Sequence, residues 1–406
     1  MSRASKFLLA GCLLGLPACT EPISGPADGG EVRQSSGQTA DALKFWEVGS
    51  AAGWNAIARQ QNRTGVLNLF SGTRMLTYLS LAQYNAAVAA KGAQERGENP
   101  SISGAIAGAS AVMLGAFFPL QTAFFEAQVR AQEAGPRWPG EPRTDFAAGE
   151  AIGRLVGAAV LASAATDGFT PSNAGVSVPV CPGCWFSAPG LLPVFPRLGE
   201  MRPFFLTSGS QFRPVPPPDF GSTAFLAALA EVREISDNRT PEQDAAAKFW
   251  AAPDGFAIIP TFNYQIASQL IVDHHLDELR AAHVLALMGM TQMDAFIACY
   301  DAKYTFWLIR PSQADPGITL SVPLPNFPSY PSAHSCVSGA AMAILAHEFP
   351  SEASELTARA EAAGISRIWG GIHYRFDNEA GLALGRRVAA YALAHDVAGH
   401  EPFPVR

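Results

Sequence analysis

The sequence predicts an all-α protein made of two related helical bundles that a Pro/Gly-rich crossover joins. Long alanine-rich segments show the helical period of apolar residues, whereas the alternating β-branched runs that indicate strands are scarce. Of the 406 residues, 48% are apolar, so the chain can bury a large core. Helical segments are expected, among others, at residues 43–61, 72–92, 103–118, 145–166, 222–235, 241–252, 261–272, 276–310, 334–348, 352–363 and 377–395.

The first 19 residues predict a signal peptide of the lipoprotein type. A short basic region precedes the apolar run 7–16, which is too short to span a bilayer. Cys12 and Cys19 both follow lipobox-like triplets, and we favour lipidation of Cys19, because processing at Cys12 would leave only a few apolar residues before it. The alternative is a cleaved signal without a lipid. Both alternatives predict an extracytoplasmic bacterial protein, either periplasmic or anchored to the envelope.

Composition divides the rest of the chain into four parts. Residues 20–40 are polar and rich in Gly, Ser and Pro, so they predict a flexible tether. Residues 41–168 are expected to form the N-terminal helical bundle, and residues 222–406 the C-terminal one. The connector 169–221 is dense in proline and glycine and separates the bundles.

Residues 101–125 carry no charge and have two interpretations. One is a membrane span, because the apolar stretch is long enough. The other is a buried helix of the bundle. We favour the buried helix, because Ala, Gly and Ser dominate the segment and Pro119 interrupts it.

The charge balance excludes a nucleic-acid partner. The formal net charge is −7, only 16% of the residues are charged, and no long basic run occurs. Proteins that bind DNA or RNA present basic patches to the phosphate backbone. We therefore expect no nucleic-acid partner.

Four cysteines lie beyond the predicted signal peptide. Cys181 and Cys184, in "CPGC", suit a local disulfide, two free thiols, a redox motif or half of a zinc site. Zinc is weakly supported, because no second pair at zinc-finger spacing exists. We favour a structural bridge or two free thiols. Cys299 and Cys336 are expected to be two buried thiols, with a disulfide as the alternative.

The two bundles align as internal copies. Segments pair at shifts of 209, 231 and 232 residues: 74–90 with 283–299, 100–119 with 331–350, and 145–158 with 377–390. Identical residues occupy seven of 20 positions in the second pair and eight of 14 in the third. The change in shift gives the second copy about 22 extra residues between its first and second segments.

The aligned copies differ where reactive side chains are concerned. The second copy has a lysine and two histidines where the first has neutral or acidic residues: Lys303 for Gln94, His334 for Ser103, and His373 for Glu141. We therefore expect the chemistry in the second copy and a structural role for the first.

The first polar cluster of the second copy is "KYTFWLIRP" (303–311). Lys303 and Arg310 are seven residues apart, so on a helix that Pro311 ends they would lie about 20° apart around the axis. Two cations on one face suit an anion held at a helix end. The alternative is a solvated basic edge.

Two further clusters contain histidines. In "PSAHS", Ser332 and the N–H groups of a helix start can donate to an oxyanion, and His334 can act as general acid or base. The alternative is an N-cap followed by a surface histidine. His373 and Asp377 are four residues apart, so on a helix the carboxylate can orient the imidazole, although an ordinary capping pair has the same spacing. With Arg367, the three clusters together suit an oxyanion that has several negative oxygens.

The order and spacing of these clusters resemble the signature of the superfamily of type 2 phosphatidic acid phosphatases (PAP2) and vanadium haloperoxidases. The matching elements are Lys303–Arg310–Pro311, then Pro331–Ser332–Ala333–His334, then Ser366–Arg367–His373–Asp377. The likeness is greatest to the bacterial haloperoxidase-like branch. One position departs from the pattern: the family usually has glycine where this chain has Ala333, which implies a tighter fit of the backbone around the ligand.

The resemblance implies a haloperoxidase-like fold and a bound vanadate, with phosphate as a competing oxyanion. It also implies a role for each matching residue. Lys303, Arg310, Ser332, Arg367 and the N–H of Ala333 would bind the equatorial oxygens. His373 would ligate vanadium or form a phosphohistidine, Asp377 would orient His373, and His334 would be the acid–base residue.

Three functions are compatible with this resemblance. The first, which we expect, is a vanadate-dependent haloperoxidase that oxidises halide with hydrogen peroxide. The second is a phosphatase that hydrolyses a small phosphoester through a phosphohistidine intermediate. The third is a non-catalytic envelope lipoprotein that only binds an oxyanion. The long N-terminal half and the lack of several predicted transmembrane helices favour the first.

Overall fold

The computed structural model describes residues 44–136, 144–252, 259–397 and 401–405. These residues form helices, and only two isolated β-bridges occur among them. The predicted all-α class is therefore confirmed. The predicted signal peptide (1–19), the tether (20–40) and Glu141 lie outside the described residues.

The α-helices of the described residues vary from single turns to a helix of 29 residues. In chain order they are α1 (Phe45–Val48), α2 (Ser50–Asn62), α3 (Leu69–Glu95), α4 (Ile102–Phe117), α5 (Thr122–Ala134), α6 (Phe146–Ala164), α7 (Thr223–Asp237), α8 (Pro241–Ala251), α9 (Ile259–Asp273), α10 (Glu278–Phe306), α11 (Pro311–Ala314), α12 (Ala333–Glu348), α13 (Ala353–Trp369) and α14 (Arg375–Ala394).

The same helix pairs pack together in both halves. Helix α4 packs on α6, and the aligned helix α12 packs on α14. The Ser101 N–H donates to the Asp145 carbonyl over 2.8 Å, and at the aligned positions the Ser332 N–H donates to the Asp377 carbonyl over 2.9 Å. The copies found by alignment thus share one packing arrangement.

Glycines allow these helix pairs to approach closely. Gly153 of α6 faces the Ala105 carbonyl of α4, and the aligned Gly385 of α14 faces the Cys336 carbonyl of α12. A Cβ atom at either glycine would overlap the backbone of the neighbouring helix. The absence of a side chain at these positions therefore sets the distance between the helices.

Helix α10 lies at the centre of the fold. Among the described residues, α6 and α10 are long and apolar enough to cross a membrane by length and composition alone. The apolar stretch of α10 is completely buried between other helices, as in the core helix of a bundle. Helix α4, in the uncharged segment, packs against α3 and α6.

Helices α3 and α10 join the two halves. They pack against each other, and residues 44–406 form one compact unit. The domain boundaries at residues 168 and 221 therefore remain predictions from the sequence.

The Pro-rich crossover forms no α-helix and is attached to α10. The buried carboxylate of Asp294 accepts the backbone N–H groups of Phe204, Phe205 and Leu206 at 2.7, 2.7 and 2.9 Å. Leu206 joins a core cluster that includes the buried free thiols Cys299 and Cys336. Asp294 thus fixes three consecutive residues of an irregular segment against the core.

A disulfide closes the "CPGC" loop of the crossover between Cys181 and Cys184. The loop pairs with the chain that follows α10. The Ile309 N–H donates to the Gly183 carbonyl over 2.9 Å, and the Trp185 N–H donates to the Trp307 carbonyl over 2.6 Å. The loop therefore supports the segment that leads to Arg310.

The expected helix over residues 276–310 is wrong at its C-terminal end. Helix α10 stops at Phe306, because Trp307 adopts the left-handed conformation with φ of 51°. Pro311 begins the short helix α11 and does not end α10, a position that suits its fixed φ and missing N–H. Lys303 and Arg310 therefore do not share a helix face.

We expect Gly385→Ala to destabilise the protein by about 2 kcal/mol, because the added methyl group forces the backbones of α12 and α14 apart. Urea denaturation measures the free energy of unfolding. Gly92→Ala is the matched control: it lies in α3, where the new Cβ makes only an ordinary contact with the Arg96 side chain. The control should be unchanged or stabilised by up to about 1 kcal/mol. Equal effects at both positions would contradict the close-packing role of Gly385.

Candidate anion-binding site

Three buried cations converge between the end of α10 and the starts of α12 and α14. The relative exposure of Lys303 and Arg310 is 0%, and that of Arg367 is 1%. Among the described residues, no carboxylate lies within ion-pair distance of any of them. Backbone carbonyls take the place of carboxylates around all three.

Lys303 is held by the loop before α12. Its Nζ atom donates to the carbonyls of Pro328, Ser329 and Pro331 at 2.9, 2.8 and 2.6 Å. The peptide bond between Tyr330 and Pro331 in this loop is cis. Burial lowers the pKa of Lys303 to about 8, because the charged form loses its hydration.

Arg310 contacts both the loop and the start of α14. Its Nε donates to the Phe327 carbonyl over 3.0 Å, and its Nη1 lies 2.7 Å from the Ile372 carbonyl and 3.0 Å from His373 Nε2. Its buried Nη2 has no hydrogen-bond partner among the described residues. Burial lowers the pKa of Arg310 to about 10. One donor of a buried cation is therefore available to a ligand.

Two partners orient the imidazole of His373. Nδ1 lies 2.8 Å from Asp377 Oδ2, which also accepts the Ser329 hydroxyl at 2.5 Å and the Tyr374 N–H at 3.2 Å. Nε2 faces Arg310, which can only donate. We therefore assign the proton to Nδ1 and a lone pair to Nε2.

The electrostatic surroundings keep His373 neutral. Burial, followed by the charges of Arg310 and Lys303, holds its pKa well below the usual value. Burial also raises the pKa of Asp377 to about 6, against the effects of Ser329 and the two cations. At neutral pH the pair is thus a neutral imidazole hydrogen-bonded to a carboxylate.

Ser329 belongs to this site although the sequence did not predict it. It is fully buried, its carbonyl accepts from Lys303, and its hydroxyl donates to Asp377. It connects the cation to the carboxylate that orients His373. The only signal was a second Pro–Ser pair in "FPSYPSAHS", and such pairs are common in turns.

Helix α12 begins as the sequence predicted. Ser332 is its N-cap, and its hydroxyl oxygen accepts the Ser335 N–H at 3.5 Å. Ala333 is the first helical residue and has ordinary helical geometry. It is not among the described non-glycine residues that have a positive φ. The N–H groups of the first turn have no acceptor within the helix. The alanine in place of glycine therefore leaves its backbone donor available.

His334 and Arg367 are hydrogen-bonded to the end of α8. The Nε2 atom of His334 lies 3.0 Å from the Trp250 carbonyl, and Arg367 Nη2 donates to the Ala247 carbonyl. Arg367 Nε also donates to the Ser366 hydroxyl over 3.0 Å. Burial lowers the pKa of Arg367 to about 9. Burial also holds the pKa of His334 well below its usual value, and the charge of Arg367 is the second cause of this shift.

The structure brings Arg310, His373 and Asp377 into direct contact and connects Lys303 to Asp377 through Ser329. His334 and Arg367 lie within reach of the same charges but bond to α8, and Ser332 and Ala333 form the adjacent helix start. The individual roles given to these eight residues remain predictions. Together they form a buried, positively charged site with open donors, and such a site suits an oxyanion.

The first half keeps the frame of this site without its charge. Gln94 occupies the position of Lys303, and its side-chain amide donates to the Pro100 carbonyl over 2.8 Å. This bond corresponds to the one from Lys303 to Pro331. Arg310 has no counterpart, because it lies in the extra residues of the second copy. The first half therefore shows the same polar contact with a neutral donor.

Comparison with known proteins gives a family match for the segment that contains this site. Residues 280–397 match the family model of the PAP2 superfamily. No curated protein sequence matches the chain significantly. The matched residues extend from α10 to the end of α14 and thus include all three cations and both histidines of the site.

Three solved structures share the fold over most of their length. One is described as the first bacterial vanadium-dependent iodoperoxidase: it is 22% identical, with a TM-score of 0.72, and the match covers 86% of this chain and 96% of that one. The apo form of a bacterial vanadium-dependent chloroperoxidase is 14% identical, with a TM-score of 0.62 and coverages of 80% and 93%. The holo form is 14% identical, with a TM-score of 0.61 and coverages of 87% and 93%.

These matches confirm the predicted resemblance to the PAP2 superfamily and to its bacterial haloperoxidase branch. At identities this low, the structural likeness establishes the haloperoxidase-like fold and not the activity.

We expect sulfate to stabilise the protein at pH 7 and to lose much of this effect as the pH rises through about 8, where buried Lys303 gives up its proton. Sulfate stays a dianion over this range, so only the protein titrates. Thermal unfolding with and without sulfate at pH 7 and pH 9 measures the change. Lys303→Met should show a smaller sulfate effect with less pH dependence. A wild-type sulfate effect that is equal at both pH values would contradict the assignment.

Proposed function

We propose that this protein is a vanadate-dependent haloperoxidase that oxidises halide with hydrogen peroxide. It has the haloperoxidase-like fold, and one of its segments matches the PAP2 superfamily. One observation carries the proposal: three buried cations lie near a neutral histidine whose Nε2 faces one of them, Arg310. Such a site attracts an oxyanion and offers its central atom a nitrogen ligand.

The residues present fit vanadate. The unpaired Nη2 of Arg310 is a buried donor that an oxyanion would satisfy. Arg310, Arg367, Ser332 and the N–H of Ala333 are proposed to donate to its oxygens, and His373 Nε2 to ligate the metal. Lys303, whose three N–H donors are taken by carbonyls, is proposed to hold the oxygens through its charge. When bound, vanadate supplies a Lewis acid that activates hydrogen peroxide toward attack by halide.

The remaining groups prepare the site for this chemistry. Asp377 keeps the Nδ1 proton of His373 in place, which leaves Nε2 as the ligating atom. The three cations would balance the negative charge of a bound vanadate in a buried site that excludes bulk water. His334 is neutral and bonds to the Trp250 carbonyl through Nε2. We therefore propose that its Nδ1 accepts and returns a proton during turnover.

A phosphatase is the second candidate, because the same Nε2 lone pair is a nucleophile for phosphorus. In that reaction His373 would attack a small phosphoester, the cations would hold the phosphoryl oxygens, and His334 would protonate the leaving alcohol. The PAP2 match is compatible with either reaction. A non-catalytic oxyanion-binding lipoprotein is the third candidate.

Residues 20–406, purified and supplied with orthovanadate, should brominate monochlorodimedone in the presence of hydrogen peroxide and bromide. Asp377→Asn should lower the vanadate affinity or activity by about 10- to 100-fold, because it removes the charge that orients His373. His373→Ala should abolish the reaction. The spectrophotometric rate is the measurement.

The matched control is His347→Ala, which removes an exposed histidine at the other end of α12 and should leave the rate unchanged. Hydrolysis of p-nitrophenyl phosphate is measured in parallel. Phosphatase turnover without peroxide, with vanadate acting only as an inhibitor, would replace the peroxidase proposal by the second candidate. If His373→Ala kept both activities, the site assignment would be wrong.

We also propose that the protein is exported and attached to the bacterial envelope through a lipid on Cys19. The support is the sequence pattern of the first 19 residues. Cells that express the full chain should incorporate labelled palmitate into the protein. Cys19→Ala should remove the label, whereas Cys12→Ala, the matched control, should retain it. Labelling of the Cys19→Ala variant would refute this attachment.

A further inference from the structure

The disulfide loop, residues 181–184 of the crossover, lies beside the segment that leads to Arg310. The disulfide joins its first and last residues, which are only three positions apart in sequence. Between them, Gly183 has a φ of 78°, a conformation that favours glycine. Covalent closure and this turn together fix the direction of the Gly183 carbonyl, which accepts the Ile309 N–H at 2.9 Å.

The segment between α10 and α11 depends on the disulfide loop, because it belongs to neither helix. Trp307 follows the last residue of α10, and Arg310 precedes the first residue of α11. The Trp307 carbonyl accepts the Trp185 N–H at 2.6 Å, and with the bond from Ile309 to Gly183 this forms an isolated antiparallel bridge. The backbone before Arg310 is therefore held by the crossover and not by a helix.

Two further side chains connect the residues just after the disulfide loop to Arg310. Gln313 Nε2 donates to the Phe186 carbonyl over 2.6 Å, and Gln313 Oε1 accepts the Arg310 N–H at 3.1 Å. Asn326 Oδ1 accepts the Ala188 N–H at 3.0 Å, and the carbonyl of the residue after Asn326 accepts from Arg310 Nε. The crossover thus supports both the backbone of Arg310 and an acceptor of its guanidinium group.

The direction of the Arg310 side chain decides which of its donors a ligand meets. Nε and Nη1 donate to carbonyls of the protein, whereas the buried Nη2 has no partner among the described residues. A hydrogen bond weakens steeply when its donor and acceptor are misaligned. A shift of the backbone before Arg310 would therefore weaken the bond from Nη2 to an anion, although the charge of the guanidinium group would remain.

The disulfide is the accessible pair of cysteines in the described part of the chain. Cys181 is exposed and Cys184 is partly exposed, whereas the exposure of Cys299 and Cys336 is 0%. Thiolates in solution reduce disulfides by direct attack on a sulfur atom, so the reaction depends on access. A dithiol added to the folded protein is therefore expected to act at the disulfide loop.

We propose that the disulfide between Cys181 and Cys184 positions Arg310 for anion binding, and that its reduction by a dithiol weakens this binding. In the exchange, the dithiol gives two electrons and two protons to the S–S bond; it becomes a disulfide, and the two cysteines become thiols. Without the bond the loop gains conformational freedom, so the Gly183 carbonyl no longer holds Ile309 in one place. The proposal rests on the anion-binding site of the proposed function, and it applies equally to a peroxidase and to a phosphatase.

Calorimetric titration with inorganic phosphate tests this proposal, because thiols do not reduce phosphate. The Kd is measured for the oxidised protein, after treatment with dithiothreitol, and after reoxidation. We expect reduction to raise the Kd about tenfold, the equivalent of one lost hydrogen bond to a charged group, and reoxidation to restore it. The double variant Cys181→Ser/Cys184→Ser should show the raised Kd with or without dithiothreitol.

Two variants separate the positioning of Arg310 from a general loosening of the crossover. Arg213→Ala, the matched control, removes an ion pair of 2.7 Å between the crossover and Asp301 of α10 but leaves the disulfide loop intact, so the Kd should not change. Arg310→Met should raise the Kd, and reduction should then alter it little, because both changes affect the same donor. A further tenfold loss on reduction of Arg310→Met would show that the loop acts elsewhere and would overturn the proposal.

The phosphate titration also separates this proposal from the proposed function. Equal affinities of the oxidised and the reduced protein would overturn the role of the disulfide and leave the anion-binding site in place. A protein that bound no phosphate in either state would contradict the site and this proposal together. If phosphate binding depended on the disulfide but the protein with vanadate oxidised no halide, the positioning of Arg310 would stand and the haloperoxidase function would fail.

Discussion

The burial of three cations beside a single carboxylate is the constraint on which the site depends. Removing an isolated ion from water costs several kcal/mol, so each cation must find fixed dipoles inside the protein. Lys303 is satisfied by three carbonyls of one short loop and Arg310 by two further carbonyls. The path of residues 327–331 follows from this requirement, because their carbonyls must turn inward. The remaining excess of positive charge at this site suits an anion.

The same constraint determines the state of His373. Arg310 approaches Nε2 and can only donate, while Asp377 accepts from Nδ1 and is itself fixed by Ser329 and the start of α14. Both sides therefore select one neutral tautomer. An imidazole in this state serves equally as a metal ligand and as a nucleophile. The geometry around His373 is therefore compatible with both proposed reactions, and the discrimination between them must come from the walls of the site.

Much of the fold and the order of the charged residues could be predicted from the sequence, because apolar periodicity and motif spacing depend only on the order of residues along the chain. The all-α class and the resemblance to the superfamily were correct on this basis. The end of α10 was not predictable, because a single left-handed residue, Trp307, stops a helix whose pattern continues to Arg310. The carbonyls around Lys303 carry no sequence signal, since every residue has one. Ser329 differs from an ordinary serine only by what surrounds it in space.

The connection between the two corresponding helices is longer in the second half than in the first, and this difference suggests how such a site can arise. Helix α3 ends at Glu95 and α4 begins at Ile102, whereas α10 ends at Phe306 and α12 begins only at Ala333. The longer connection contributes Arg310, Phe327 and Ser329, while the helices around it keep the packing of the other half. Lengthening a loop about fourfold costs only about 1 kcal/mol in closure entropy. After a gene duplication, an insertion that supplies Arg310 and Ser329, together with substitutions at the aligned positions of Lys303, His334 and His373, can therefore change one copy without loss of its fold, while the other copy keeps the short connection.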